Sequence, residues 1–215
     1  MVSRVSRLSQ WDTFLIPGDH PVSYLCGMSS HHVVREKQEP ALLVLSMDNF
    51  SDELLGQLLE WSPTVIATEL MAEKLHSEGI KIDWILTDGE PDLQSDARPL
   101  PPGEKSVVNA AMDFLTGNGY PSVNIVTNVV DVADYQHYVN LINLVIYSGE
   151  EKIYPVTSGF SKWKPAGEVV KILSEVADLQ QDGLKHIGAN TYQTIADGMF
   201  NLRFNQPFIF LAESL

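Results

Sequence analysis

Cysteine is almost absent from this chain. The single Cys26 cannot close an internal disulfide, which fits a reducing compartment, so a cytoplasmic location is expected. A lone thiol of this kind reads as a small buried hydrophobe rather than a nucleophile. Positive charge is also scarce: 14 Lys and Arg face 28 Asp and Glu, a formal net charge of −14. Nucleic-acid surfaces draw their affinity from Lys and Arg that neutralise phosphates, so no nucleic-acid partner is expected; the acid excess serves solubility. No stretch approaches the ~20 apolar residues of a membrane span. No apolar run or small-residue cleavage site follows Arg4 and Arg7, so neither membrane insertion nor secretion is expected. A Walker loop, a Gly-x-Gly-x-x-Gly, paired-cysteine zinc spacing and a Ser-His-Asp set are all missing, which argues against P-loop and dinucleotide chemistry.

What is present is a hydrophobic content of 44% over 215 residues, enough for a real core and too much for a disordered chain. Residues up to about Pro40 carry no clear pattern. Ala41–Leu45 is a short continuous apolar run, as a strand covered on both faces requires. Ser51 reads as a helix cap, with Asp52 and Glu53 in the first turn where the dipole favours them. Strands are predicted over Thr64–Thr68, Ile82–Thr87 and Ser122–Thr127. Helices are predicted over Glu69–Glu78, Ser106–Thr116 and Asp134–Tyr147, with Gly79 at a left-handed cap. A loop with Pro91, Pro99, Pro101 and Pro102 separates the third strand from the next helix. After Ser148-Gly149-Glu150 the pattern changes to short strands, Ile153–Val156, Glu168–Leu173, Met199–Phe204 and Phe208–Leu211, the last two joined by a hairpin-like Asn205-Gln206-Pro207. The expected fold class is therefore α/β. An N-terminal parallel-sheet, Rossmann-like domain (1–150) precedes a small all-β domain, a C-terminal β-sandwich (151–215).

The chemistry concentrates in Thr64–Glu90, which reads strand, helix, strand with an acid after each strand. Glu69 follows the first strand; Asp88 and Glu90 follow the second. Ligands of parallel α/β sheets sit outside the carboxyl ends of the strands, so these three carboxylates are candidates to hold Mg²⁺ and a nucleotide phosphate. His31 and His32 are adjacent, and on a strand they point to opposite faces, so they do not chelate one ion. His137 reads as a packed or capping histidine. Trp163, between Lys162 and Lys164, is open to stacking on a ligand or partner as well as to plain packing.

From about Pro40 onward the chain resembles the thiamine pyrophosphokinase family, through an ordered set of short matches. These are Leu58–Ile66, Gly79-Ile80-Lys81-Ile82-Asp83, Asn140–Leu144, Phe160-Ser-Lys-Trp163, Asp197-Gly198 and Phe208–Glu213. The resemblance implies an enzyme that transfers pyrophosphate from ATP to thiamine with Mg²⁺, giving AMP and thiamine diphosphate. It also implies a homodimer with thiamine between subunits, and Phe204, Phe208 and Phe210 are the apolar residues that point to the C-terminal part as its interface. By the same resemblance Asp88 and Glu90 are catalytic acids. Glu69, Asp88 and Glu90 are the metal ligands. Glu69, Asp134, Asn190 and Thr191 are ligand-binding positions.

The motifs are altered where the chemistry would lie. Glu69-Leu70-Met71 stands for Asp-Gly-Ala, and Thr87-Asp88-Gly89-Glu90 for Gly-Asp-x-Asp. Ser106-Val107 stands where Thr-Asp opens a helix, with Asp92 and Asp96 as the nearby acids left to replace the missing one. Asn128–Gln136 lacks the Arg and Gly of Gly-Arg-x-x-Asp-His, keeping Asp134 with Tyr135. Ala189-Asn190-Thr191 stands for Ser-Ser-Asn. A second expectation therefore stands beside the first: a non-catalytic paralogue that keeps the fold as a dimeric ligand-binding or interaction protein.

Overall fold

The structure, a computed structural model, describes residues 39–48, 50–89 and 96–215. Cys26, His31, His32, Glu90 and Asp92 lie outside the described residues.

Strand β1 (Ala41–Val44) has all four side chains fully buried. A strand covered on both faces alternates between two cores rather than between core and water. Leu42 and Val44 join Leu55, Met71, Ala72 and Leu75 on one side. Ala41 and Leu43 join Ala110, Ala111, Met112 and Leu115 on the other. The first side is covered by α1 (Asp52–Leu59) and α2 (Glu69–Ser77), the second by α3 (Val107–Gly117). The Ser51 hydroxyl caps α1 by accepting the Leu54 N–H at 3.3 Å, and Ser106 caps α3 through the Asn109 N–H at 3.1 Å. Gly79, at φ +75°, takes the left-handed position expected after α2.

Beside β1 on one flank run β2 (Val65–Thr68), β3 (Trp84–Leu86) and β4 (Arg98–Leu100). On the other flank run β5 (Ser122–Val126) and β6 (Asn143–Ser148). All six are parallel, in the order β6-β5-β1-β2-β3-β4. The chain thus reverses its travel across the sheet between β1 and β5. Gly149, at φ +58°, turns β6 into the antiparallel β7 (Glu151–Val156). The same sheet then continues through β14 (Ile209–Ser214), β9 (Val169–Ile172), β12 (Thr191–Thr194) and β11 (Leu184–Gly188), eleven strands in all. A second sheet holds β10 (Gln180–Asp182), β13 (Gly198–Arg203) and β8 (Phe160–Lys164). Phe200 and Leu202 of β13 share one apolar cluster with Val156, Val170, Ile172, Ile209 and Leu211 of the large sheet. The chain is a mixed α/β protein with a large, parallel-rich sheet and a second small one.

Four readings of the sequence are corrected. The helix expected over Asp134–Tyr147 is two short 3-10 turns, Val132–Asp134 and Gln136–Tyr138, followed by β6. The apolar run there belongs to a buried strand, which short periodicity cannot tell from a helix. The proline loop yields the edge strand β4, where Pro99 is tolerated because an edge leaves one side of the ladder unpaired. Asn205-Gln206-Pro207 is not a hairpin: β13 pairs in the small sheet and β14 in the large one. Phe204 and Phe210, expected at an interface, are 6% and 0% exposed and belong to this chain's own core.

The two sheets also meet through charge. Glu213, 5% exposed on β14, accepts hydrogen bonds from Lys162 and from the Tyr154 hydroxyl at 3.1 Å. Its other oxygen faces Lys164 Nζ at 3.1 Å. Burial pushes the Glu213 carboxyl up, but the two lysines outweigh burial and hold it below the usual range. With Lys162 and Lys164 turned inward, the strand's period of two turns Trp163 outward, where it is 59% exposed opposite Met199.

Two outcomes are expected. Glu213→Gln leaves Lys162 without its carboxylate and Lys164 with only Glu168, 3.6 Å away, and should lower stability by about 3 kcal/mol at pH 7. Glu213's contribution is full above its unfolded value of about 4.3 and fades as the pH falls through its lower folded value. Urea unfolding at pH 7 and pH 3 should therefore show the two proteins converging in acid. Gly183 sits at φ +78°, and a Cβ there would lie 2.8 Å from the Met199 carbonyl oxygen. Gly183→Ala should cost about 2 kcal/mol or more by the same measurement.

Candidate functional site

The carboxyl ends of the six parallel strands form one edge, and polar residues follow nearly every strand. After β2 and β3, Glu69 opens α2 and Thr87 leads to Asp88. Thr87 is buried while Glu69 and Asp88 are exposed. The Thr87 hydroxyl donates to Glu69 Oε1 and accepts the Gly89 N–H at 2.9 Å. Asp88 Oδ1 accepts the Gly103 N–H at 3.2 Å, from the loop between β4 and α3. Each hydrogen bond engages one oxygen of its carboxylate. The structure thus brings Glu69 and Asp88 to neighbouring strand ends, joined through Thr87.

The other expected positions lie elsewhere. Among the described residues, no three His, Cys, Asp or Glu side chains are gathered as a metal cage. Asp96 lies 3.9 Å from Lys81, which also pairs with Asp83 at 3.1 Å, both at the amino end of the strands. Val107, 39% exposed, opens α3 directly after its cap. Asp134 is exposed at the end of a 3-10 turn. Its neighbour Tyr135 is 1% exposed, and burial, with the charges of Asp134 and Asp131, pushes its phenol up to about 12. Tyr135 is therefore a neutral core residue. Asn190, at φ +52°, lies between β11 and β12, and its carbonyl accepts the Ile172 N–H at 2.8 Å. Thr191 begins β12 and donates to the Ala189 carbonyl at 3.0 Å. Along the sheet β12 and β2 are seven strands apart, about 34 Å at 4.8 Å per strand. The expected site residues thus fall on opposite halves of the large sheet.

The sequence reading missed the residues at the point where strand order reverses. Ser46 and Asp48 follow β1; Thr127 and Asn128 follow β5. The Asp48 N–H donates to Asn128 Oδ1 at 3.0 Å, and Asn128 Nδ2 returns a bond to Asp48 Oδ2 at 2.7 Å. The Asn128 N–H donates to Ser46 Oγ at 2.8 Å. This clamp spans the crevice in which ligands of such sheets lodge. Lys74 reaches the same loop, donating to the Met47 carbonyl at 3.3 Å. Also missed was Asp113, which accepts from Lys105 Nζ at 2.6 Å and from the Tyr138 hydroxyl at 2.8 Å. Those two bonds, the Lys105 one first, hold its carboxyl below the usual range. Burial, and then Asp113, push the Tyr138 phenol up to about 12.

No protein-family model matches the chain, and no curated protein matches it significantly. Solved structures do. The thiamin pyrophosphokinase of Geobacillus thermodenitrificans superposes with a TM-score of 0.59 at 13% identity, covering 82% of this chain and 97% of that one. The yeast thiamin pyrophosphokinase gives 0.59 at 10% identity, over 85% and 88%. That of Bacillus subtilis gives 0.52 at 13% identity, over 82% and 99%. The class is thus defined by architecture: this chain has the fold of the thiamin pyrophosphokinases.

Thr87→Val removes the buried hydroxyl that links Glu69 to the Gly89 backbone. It should cost about 1–2 kcal/mol in thermal or urea unfolding, with the neighbouring Ser46–Asn128 clamp undisturbed in amide exchange.

Proposed function

We propose that this chain is a thiamine pyrophosphokinase-like protein acting on ATP and thiamine at the carboxyl edge of its parallel sheet. The observation that carries the reading is the pair Glu69 and Asp88, set side by side at the ends of β2 and β3, on a fold shared with thiamin pyrophosphokinases. Mg²⁺ is commonly held by one or two carboxylates together with substrate phosphates, so this donor set fits an ion that arrives on a nucleotide. Glu69, Asp88 and, by resemblance, Glu90 would hold it, and when bound it neutralises charge on the phosphates. The transfer joins the thiamine hydroxyl oxygen to the β-phosphorus of ATP, breaks the bond between that phosphorus and the oxygen bridging to the α-phosphate, releases AMP and sheds the hydroxyl proton. The reading includes an α/β nucleotide-binding part and an all-β, sandwich-like thiamine-binding part divided near residue 150. It also includes a homodimer: the separation of about 34 Å along the sheet between β2 and β12 leaves Asn190 and Thr191 to complete the site of a second copy.

A second reading, a non-catalytic paralogue, is favoured by two observations. Val107 supplies no oxygen at the start of α3, and the Asp48–Asn128 clamp occupies the crevice at the strand-order reversal. Incubation with ATP, Mg²⁺ and thiamine, followed by chromatography for thiamine diphosphate, separates the readings. Product from wild type and a loss of about 10²-fold or more in Asp88→Asn are expected for the enzyme. Thiamine binding without product assigns the paralogue. Failure of the wild type both to bind and to turn over removes the first reading.

A further inference from the structure

Transfer of a phosphoryl or pyrophosphoryl group needs cations to stabilise charge on the phosphates. The loop Asn128–Gln136 offers none. Lys105 is carried by the loop between β4 and α3, on the same edge as Glu69 and Asp88. Two residues earlier, the Gly103 N–H holds Asp88 Oδ1 at 3.2 Å. The loop that bears this cation is therefore tethered to the candidate carboxylate.

The Lys105 ammonium is engaged on α3. It rests 2.6 Å from Asp113, whose second oxygen is fixed by the Tyr138 hydroxyl at 2.8 Å. Asp113 lies seven residues along α3 from its cap Ser106, about 10 Å down the helix. Tyr138 is 4% exposed and set in the core under α3, so the acceptor is rigid. The lysine and aspartate side chains are 59% and 42% exposed. A pair in that environment is held weakly and is screened by salt. A polyphosphate presents several charges at once and competes for the ammonium with more than one charge-assisted acceptor.

We propose that Lys105 is the phosphate-binding cation of this protein, parked on Asp113 in the free state and swung to the carboxyl edge by a polyphosphate ligand. The assignment rests on the reading of that edge as a phosphate site. It makes Asp113 a positioning residue that competes with the ligand for the lysine. Affinity for a polyphosphate should then fall when Lys105 is neutralised and rise when Asp113 is neutralised. A purely structural pair would give equal affinities in both variants.

Inorganic tripolyphosphate with Mg²⁺ is the probe, measured by titration calorimetry at two salt concentrations. Lys105→Gln should bind about tenfold more weakly and with a shallower salt dependence, the loss of one charge-assisted contact. Asp113→Asn should bind more tightly than wild type by about twofold to fivefold, as release of an exposed pair implies. Equal affinities of wild type and Lys105→Gln for tripolyphosphate overturn the proposal, even if thiamine diphosphate is formed. Lys105-dependent tripolyphosphate binding without thiamine diphosphate formation leaves the proposal standing and removes the enzyme reading. Absence of any tripolyphosphate binding by the wild type overturns the proposal as well.

Discussion

Burial of β1 on both faces is the constraint from which the remaining architecture follows. Four consecutive side chains have no route to water, so helices must cover both sides of the sheet, and they do, two on one face and one on the other. Covering both faces closes every lateral approach to the central strands. What remains open are the two strand ends: the amino edge carries the Lys81, Asp83 and Asp96 charges, and the carboxyl edge carries Ser46, Asp48, Glu69, Thr87, Asp88 and Asn128. An α/β layer of this kind leaves its chemistry to loops while its strands carry only packing.

Much of that layer was legible in the sequence because continuous apolar runs and capping residues have local physical causes. Ala41–Leu45, Ser51 and Gly79 were each placed by the chemistry of a few neighbouring residues. Errors arose where a segment's state depends on distant partners. Leu144 and Val145 look the same in a helix as in a strand, and only pairing with β5 decides for β6. The departure of β13 and β14 into different sheets is likewise invisible to local pattern. At the site, acids placed directly after strands could be read from order alone. The Asp48–Asn128 clamp could not, because its partners are 80 residues apart and meet only through the sheet's order.

The electrostatics divide along the same line. In the parallel half no charged side chain among the described residues is buried. In the antiparallel half a carboxylate is buried beneath a sheet and matched by lysines from another. Such a cluster adds little net stability over an apolar one of similar volume, and its loss in part is costly. Its value lies in geometry rather than in energy.

That geometry constrains assembly of the small sheet. Phe160, Lys162 and Lys164 share one face of β8 and Trp163 takes the other. A slip of one residue against β13 would exchange the faces. It would send a large indole under the sheet, put both ammonium groups into water, and strand Glu213 as a lone buried anion. The misaligned sheet is thus penalised by packing and by charge at once. The Glu213 cluster therefore separates the native register from the slipped one in free energy.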